Sequence, residues 1–258
     1  MGARQQIVGF DVGNTSTKAA VLSARGAEPV LSVPTEPVGT LAVRLGEGLR
    51  ACGRVLPPGV RGVASSVCPE ANGALQAFWR SSAPGGDLRI FGTDLAVPIP
   101  TLVREPDRVG TDRLLCALGA RRAAGAPCVA VGAGTAITVD LVDAEGRFAG
   151  GAIAPGFALS AHALHEGTAC LPLIEPSAPR GAVGLDTVEA IRSGIYQFCR
   201  AGVAALVERM GAQAGGPIRV VVTGGDAPLL LPLEVAVPVL HVPELIFLGM
   251  AEALGLCS

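Results

Sequence analysis

The sequence predicts a two-lobed α/β protein, and three observations carry that prediction. A strand–glycine turn–strand unit lies near the N-terminus, over residues 7–22. A similar unit returns over residues 128–142, with Gly13 falling on Gly134 at an offset of 121 residues. Apolar strands alternate with segments of helical period along the rest of the chain. The 258 residues, half of them apolar, suffice for two cores of roughly 100–150 residues each. The expected lobes are residues 1–125 and 126–258, facing one another so that both glycine turns enter one cleft.

The elements follow in order. Residues 6–22 form the first hairpin. Leu41, Val43, Leu45, Leu49 and Val55 recur near helical spacing, with Arg44, Glu47 and Arg50 between them, so 38–55 reads as a helix. Residues 60–67 form an apolar strand ending in the hydroxyls Ser65 and Ser66. Residues 71–82 read as a helix and 88–92 as a strand; Pro98 and Pro100 then mark irregular chain. A Gly-Thr-Asp turn opens an alanine- and leucine-rich helix over 109–124. The second pattern has a strand at 128–131, a glycine turn at 132–135 and a return strand at 136–142. Helices are expected over 157–169, 186–210 and 244–254, and a strand over 218–222. In the longest helix Val188, Ile191, Ile195, Phe198, Val203 and Leu206 form a repeating apolar face.

Composition excludes several classes. Net charge is −2 with signs mixed along the chain, so no basic stripe suits nucleic acid and no cluster suits an anionic membrane. The first residues lack a secretory signal pattern, and a cytoplasmic protein is expected. The apolar stretch 220–242 is broken by Asp226, Glu234 and prolines, unlike a membrane span. The seven cysteines are scattered and never spaced as a metal pair; they read as reduced, mostly buried thiols. His162 and His165 share a helical face without a third ligand, which favours a structural role.

The chemistry concentrates in a few short runs. Asp11-Val12-Gly13-Asn14-Thr15-Ser16-Thr17-Lys18 places an acid at a strand end before a small-residue turn, and Lys18 is the chain's only lysine. Glycine allows close backbone approach. Turn amides and hydroxyls cradle phosphate oxygens, and a neighbouring carboxylate holds magnesium directly or through water. Gly110-Thr111-Asp112-Arg113 puts an acid at a helix start and an arginine beside it suited to gripping a carboxylate through two bonds. Taken alone, Asp112 reads first as a helix cap, Arg113 as a surface ion-pair partner, the Asp11 turn as an ordinary hairpin, and Gly224-Gly225 as a plain turn.

Together these runs resemble the type III pantothenate kinases. The resemblance rests on Asp11 to Lys18, Gly110 to Arg113, Gly134-Thr135-Ala136 with 150–156, and Thr223-Gly224-Gly225-Asp226, in that order and spacing. It implies two RNase H-like lobes of the actin-like ATPase and sugar kinase superfamily. It implies ATP-dependent phosphorylation of pantothenate to 4'-phosphopantothenate, the first step of coenzyme A biosynthesis. Asp112 becomes the catalytic base, orienting the hydroxyl and taking its proton late. Asp11, Val12, Gly13, Asn14, Thr15, Ser16, Thr17, Lys18, Thr135, Gly224 and Gly225 become ATP contacts, with Asp11 on the magnesium. Gly110, Thr111, Asp112, Arg113 and Thr187 become pantothenate contacts. A homodimer is implied as well, to which the helix 186–210 contributes.

Two positions depart from the family. The second glycine turn usually opens with an aspartate tied to potassium or ammonium, and Gly132 stands there. A frequent tyrosine seven residues before Gly110 is Val103. Gly132 motivates an alternative, a catalytically weak regulatory or accessory protein of the same fold; a kinase for another small hydroxyl compound is the third reading.

Overall fold

The computed structural model describes residues 6–24 and 26–257. Two compact units emerge. The first unit begins with β1 (Ile7–Val12), β2 (Ser16–Ser23) and β3 (Gly26–Pro34), an antiparallel meander. A 3-10 turn (Val38–Thr40) leads into α1 (Leu41–Ala51), then β4 (Arg61–Ser66), α2 (Pro69–Ser82) and β5 (Leu88–Ile90). A second 3-10 turn (Pro106–Arg108) precedes α3 (Thr111–Ala124). The sheet order is β3-β2-β1-β4-β5, with β4 parallel to β1 and β5 parallel to β4.

The second unit contains β6 (Cys128–Ala133), β7 (Ala136–Val142), β8 (Phe148–Pro155), α4 (Phe157–Glu166), α5 (Thr187–Ala214), β9 (Arg219–Thr223), α6 (Ala227–Leu230) and β10 (Val239–His241). Its order, β10-β9-β6-β7-β8, is the first order read from the other end, with the same antiparallel meander and the same two parallel partners. This duplicated topology is that of two RNase H-like lobes. Residues 100–103 belong to this unit, where Phe148 N–H donates to Pro100 O and Leu102 N–H to Phe148 O.

The final helix, α7 (Leu245–Ala253), returns to the first unit, so a single cut after residue 125 does not describe the compact units. Strand alternation explains its place. Val8, Phe10 and Val12 point to one face and pack with α1 and α2, where Phe10 meets Phe78 and Trp79 edge-on at 6.1 and 5.8 Å. Ile7, together with Ala20, Leu22 and Val63, packs on the other face with Leu115 of α3 and with Ile246, Phe247 and Met250 of α7. The two helices cross closely at two glycines. A Cβ on Gly249 would lie 1.9 Å from Leu115 O, and one on Gly119 2.4 Å from Leu245 O.

Several elements differ from the sequence expectation. The helix over 38–55 stops at Ala51, and Val55 lies beyond it, 87% exposed. β3 was not expected, because its burial does not alternate. Phe198 belongs to the apolar face that the sequence predicts for α5, yet it is 84% exposed. Only Cys128 among the seven cysteines is buried, and none forms a disulfide. Among the described residues no helix is long and apolar enough to cross a membrane.

Candidate active site

In the first unit, β1 and β4 run parallel with Asp11 beside Ser65, and β1 and β2 run antiparallel with Asp11 opposite Lys18. Alternation puts Asp11, Lys18 and Ser65 on the α3/α7 face of the sheet, at the carboxyl ends of β1 and β4. Ser65 Oγ and Thr111 Oγ1 form a hydrogen bond of 2.9 Å. That bond ties the first residue of α3 to the strand neighbouring Asp11, and Asp112 follows immediately.

The two carboxylates therefore share one site. Burial pushes the Asp11 carboxyl from its ordinary 3.8 up to about 6; the Lys18 ammonium opposes this, and the charge of Asp112 adds to it. Asp112 is also raised by burial, against the Arg113 backbone N–H, the Arg113 charge and its own N–H. A Cβ on Gly110 would lie 2.4 Å from Asp112 Oδ1, so a larger residue there would displace this carboxylate.

A carboxyl raised chiefly by burial, with a second acid adding to the rise, is a site short of positive charge. It fits a magnesium ion bound by one or two carboxylates, with phosphate and water completing the shell. Among the described residues no three His, Cys, Asp or Glu side chains converge as a self-sufficient metal cage.

The run from Asp11 to Lys18 divides by face. Gly13 N–H donates to Ser16 O at 3.0 Å and closes the turn, leaving Asn14 and Thr15 exposed at its tip. Val12 and Thr17 point the other way, into the α1/α2 core, and Thr17 Oγ1 bonds Thr35 Oγ1 at 2.9 Å. The Thr17 hydroxyl is thus engaged inside the protein.

In the second unit Thr135 O accepts from Gly156 N–H at 3.0 Å, and Gly224 packs on Ala133, two residues before Thr135. Gly224, at φ 101°, lies against the second glycine turn, where a Cβ would meet Ala133 O at 2.0 Å; Asp226 N–H donates to the same carbonyl at 3.1 Å. Gly225 is exposed, with open space where its Cβ would be. Thr187 is exposed at the first position of α5. Asp186 accepts from Glu189 N–H at 2.8 Å, and Glu189 accepts from Leu185 N–H at 2.9 Å, a near-reciprocal cap. Gly132 offers no carboxylate, and a Cβ there would lie 2.8 Å from Thr138 Oγ1. These residues do not fit a carboxylate-held monovalent cation.

The sequence gives no role to Thr35 and marks Ser65 only as a hydroxyl at a strand end. Thr35 carries no such signal, since its contacts reach back 22 residues to Gly13.

Comparison with known proteins identifies the family. The family model described as type III pantothenate kinase matches residues 7–211. A type III pantothenate kinase of Rhodospirillum rubrum is 43% identical over 136 residues, 53% of this chain and 53% of its own length. One from a Parafrankia species is 33% identical over 241 residues, 93% of this chain and 94% of its own. A solved Campylobacter jejuni protein, described as a conserved Baf family transcriptional activator, is similar in fold at a TM-score of 0.61 and 17% identity, covering 96% of this chain and 97% of that one. With the family match spanning most of its length and a relative aligned across nearly all of both sequences, the chain belongs to the type III pantothenate kinase family.

Proposed function

We propose that the protein phosphorylates the primary hydroxyl of pantothenate with ATP. The observation that carries this reading is the pairing of Asp11 and Asp112 on one face, close enough for one charge to raise the other's pKa. The turn from Gly13 to Ser16 and the Lys18 ammonium meet the triphosphate. Thr135, Gly224 and Gly225 contact the nucleotide as well. Asp11 holds magnesium, which supplies neutralisation of phosphate charge. The pantothenate oxygen bonds to the γ-phosphorus as the bond to the bridging oxygen breaks and ADP leaves. Asp112 orients that hydroxyl and accepts its proton late, and its raised pKa brings it nearer to the task than an ordinary carboxylate. Arg113 and Thr187 bind the pantothenate end, with the guanidinium on the carboxylate.

With Gly132 in the second turn, the reaction runs without potassium or ammonium. A coupled ADP-release assay tests both statements. Pantothenate-dependent turnover is expected at equal rate in sodium, potassium and ammonium buffers. No turnover in any of them defeats the kinase reading, and turnover only with potassium or ammonium defeats cation independence.

The protein works in the cytoplasm as a homodimer in this reading. An apolar groove of about 210 Å³, lined by Ile137, Val139, Ala154, Val203 and Leu206, lies beside the exposed Phe198 of α5. A second copy covers it. Light scattering should return twice the chain mass of 25.9 kDa, and Phe198→Glu should shift the population to monomer.

A further inference from the structure

The β1–β2 turn is held from below by a residue that the kinase chemistry does not use. Thr35 donates twice to it: the side-chain hydroxyl to Gly13 O at 2.7 Å and the backbone N–H to Thr15 O at 3.0 Å. A threonine hydroxyl has one proton, and here it is committed to Gly13 O. The bond between Thr17 Oγ1 and Thr35 Oγ1 must therefore run from Thr17 to Thr35. Thr17 and Thr35 are both 0% exposed, so water does not compete for these donors.

The consequence lies in the peptide planes. A trans peptide points its C=O and the next N–H in opposite directions. Holding the Gly13 and Thr15 carbonyls toward Thr35 turns the Asn14 and Ser16 N–H groups the other way. Two donors of the turn are thus oriented before any anion arrives, which is how a backbone cradle gains affinity. The brace is itself anchored. Arg44 of α1 donates to Pro34 O at 3.0 Å, Thr35 O at 2.8 Å and Pro37 O at 3.0 Å. One guanidinium with five donors gathers the corner that carries Thr35.

We infer that Thr35 is a positioning residue for the nucleotide-phosphate turn, with Arg44 setting its place; this rests on reading the Gly13–Ser16 turn as the triphosphate contact. Thr35→Val keeps the shape, removes the donor to Gly13 O and leaves the Thr17 hydroxyl without its acceptor. In titration calorimetry with magnesium–ATP the dissociation constant should rise about tenfold, the equivalent of about 1.4 kcal/mol. The KM for ATP should rise in parallel, the KM for pantothenate should stay within about twofold, and Thr35→Ser should restore wild-type nucleotide affinity. A folded Thr35→Val protein with unchanged ATP affinity overturns the inference, as does equal weakening toward both substrates. If Thr35→Val does not fold, Arg44→Gln leaves Thr35 in place but loosens the corner. It should weaken ATP binding about threefold or more, and unchanged affinity again overturns the inference. Because the readout is nucleotide binding, wild-type protein that binds ATP yet does not phosphorylate pantothenate counts against the kinase assignment and not against Thr35.

Discussion

Asp112→Asn should lower kcat about 10²- to 10⁴-fold, the range for loss of a positioned acid–base group, with the KM values for ATP and pantothenate changed little. The amide keeps the size and part of the hydrogen bonding of the carboxylate but accepts no proton. Gly110 makes the room in which this side chain sits, and the Ser65–Thr111 bond holds the helix start, so neither should move. A second readout separates this role from a helix cap. The charge of Asp112 raises Asp11, so removing it should lower the acid-side pKa seen in magnesium–ATP binding. A mutant with near-normal kcat would remove Asp112 from the proton-accepting role.

Asp11→Asn should have two opposite effects: loss of magnesium-dependent ATP binding and turnover, and a more stable unliganded protein. The sign follows from the carboxyl's rise from 3.8 to about 6 in the fold. The folded state holds this proton more tightly than the unfolded chain does. The stability contributed by the protonated form is complete below about pH 4 and is lost as pH rises through about 6. The difference corresponds to about 3 kcal/mol against the charged form at neutral pH. Asparagine carries no charge to desolvate, so at pH 8 without nucleotide the Tm of the mutant should exceed wild type by several degrees, and the gap should close toward pH 4. Equal Tm values at pH 8 would show that the Asp11 charge is not costly in the fold. In the wild type, kcat/KM for ATP should fall as pH drops below about 6, where Asp11 takes up its proton.

A site that is costly when empty agrees with magnesium and phosphate as its occupants. Burial of Asp11 beside Asp112 disfavours the charged carboxylate in the unliganded fold, and the proposed magnesium would offset that cost. Lys18, directly across the ladder, moderates the cost. Arginine there would keep the charge but replace a compact ammonium with a planar fork.

Much of this was readable from local pattern. Apolar runs and glycine turns placed β1 and β6, which coincide at the 121-residue offset and share one burial pattern, buried throughout except at the fifth residue. The same residues drew attention to Asp11, Gly13, Asp112 and Gly224. Each is a statement about a neighbourhood of a few residues, where side-chain direction follows from the backbone period. β3 escaped because both of its faces are partly wet and no alternation marks it. Phe198 misled because apolar period implies a buried face only where something covers that face.

The amino-acid order was enough for the class of fold, its duplication and the chemical groups at each turn, since these follow from short-range periodicity and residue type. The folded chain alone brought Ser65 to Thr111 across 46 residues, Thr35 to Gly13 across 22, and α7 back onto the first sheet. Such meetings depend on where distant segments return in space, and a hydroxyl carries no mark in its own neighbourhood of the partner it will find.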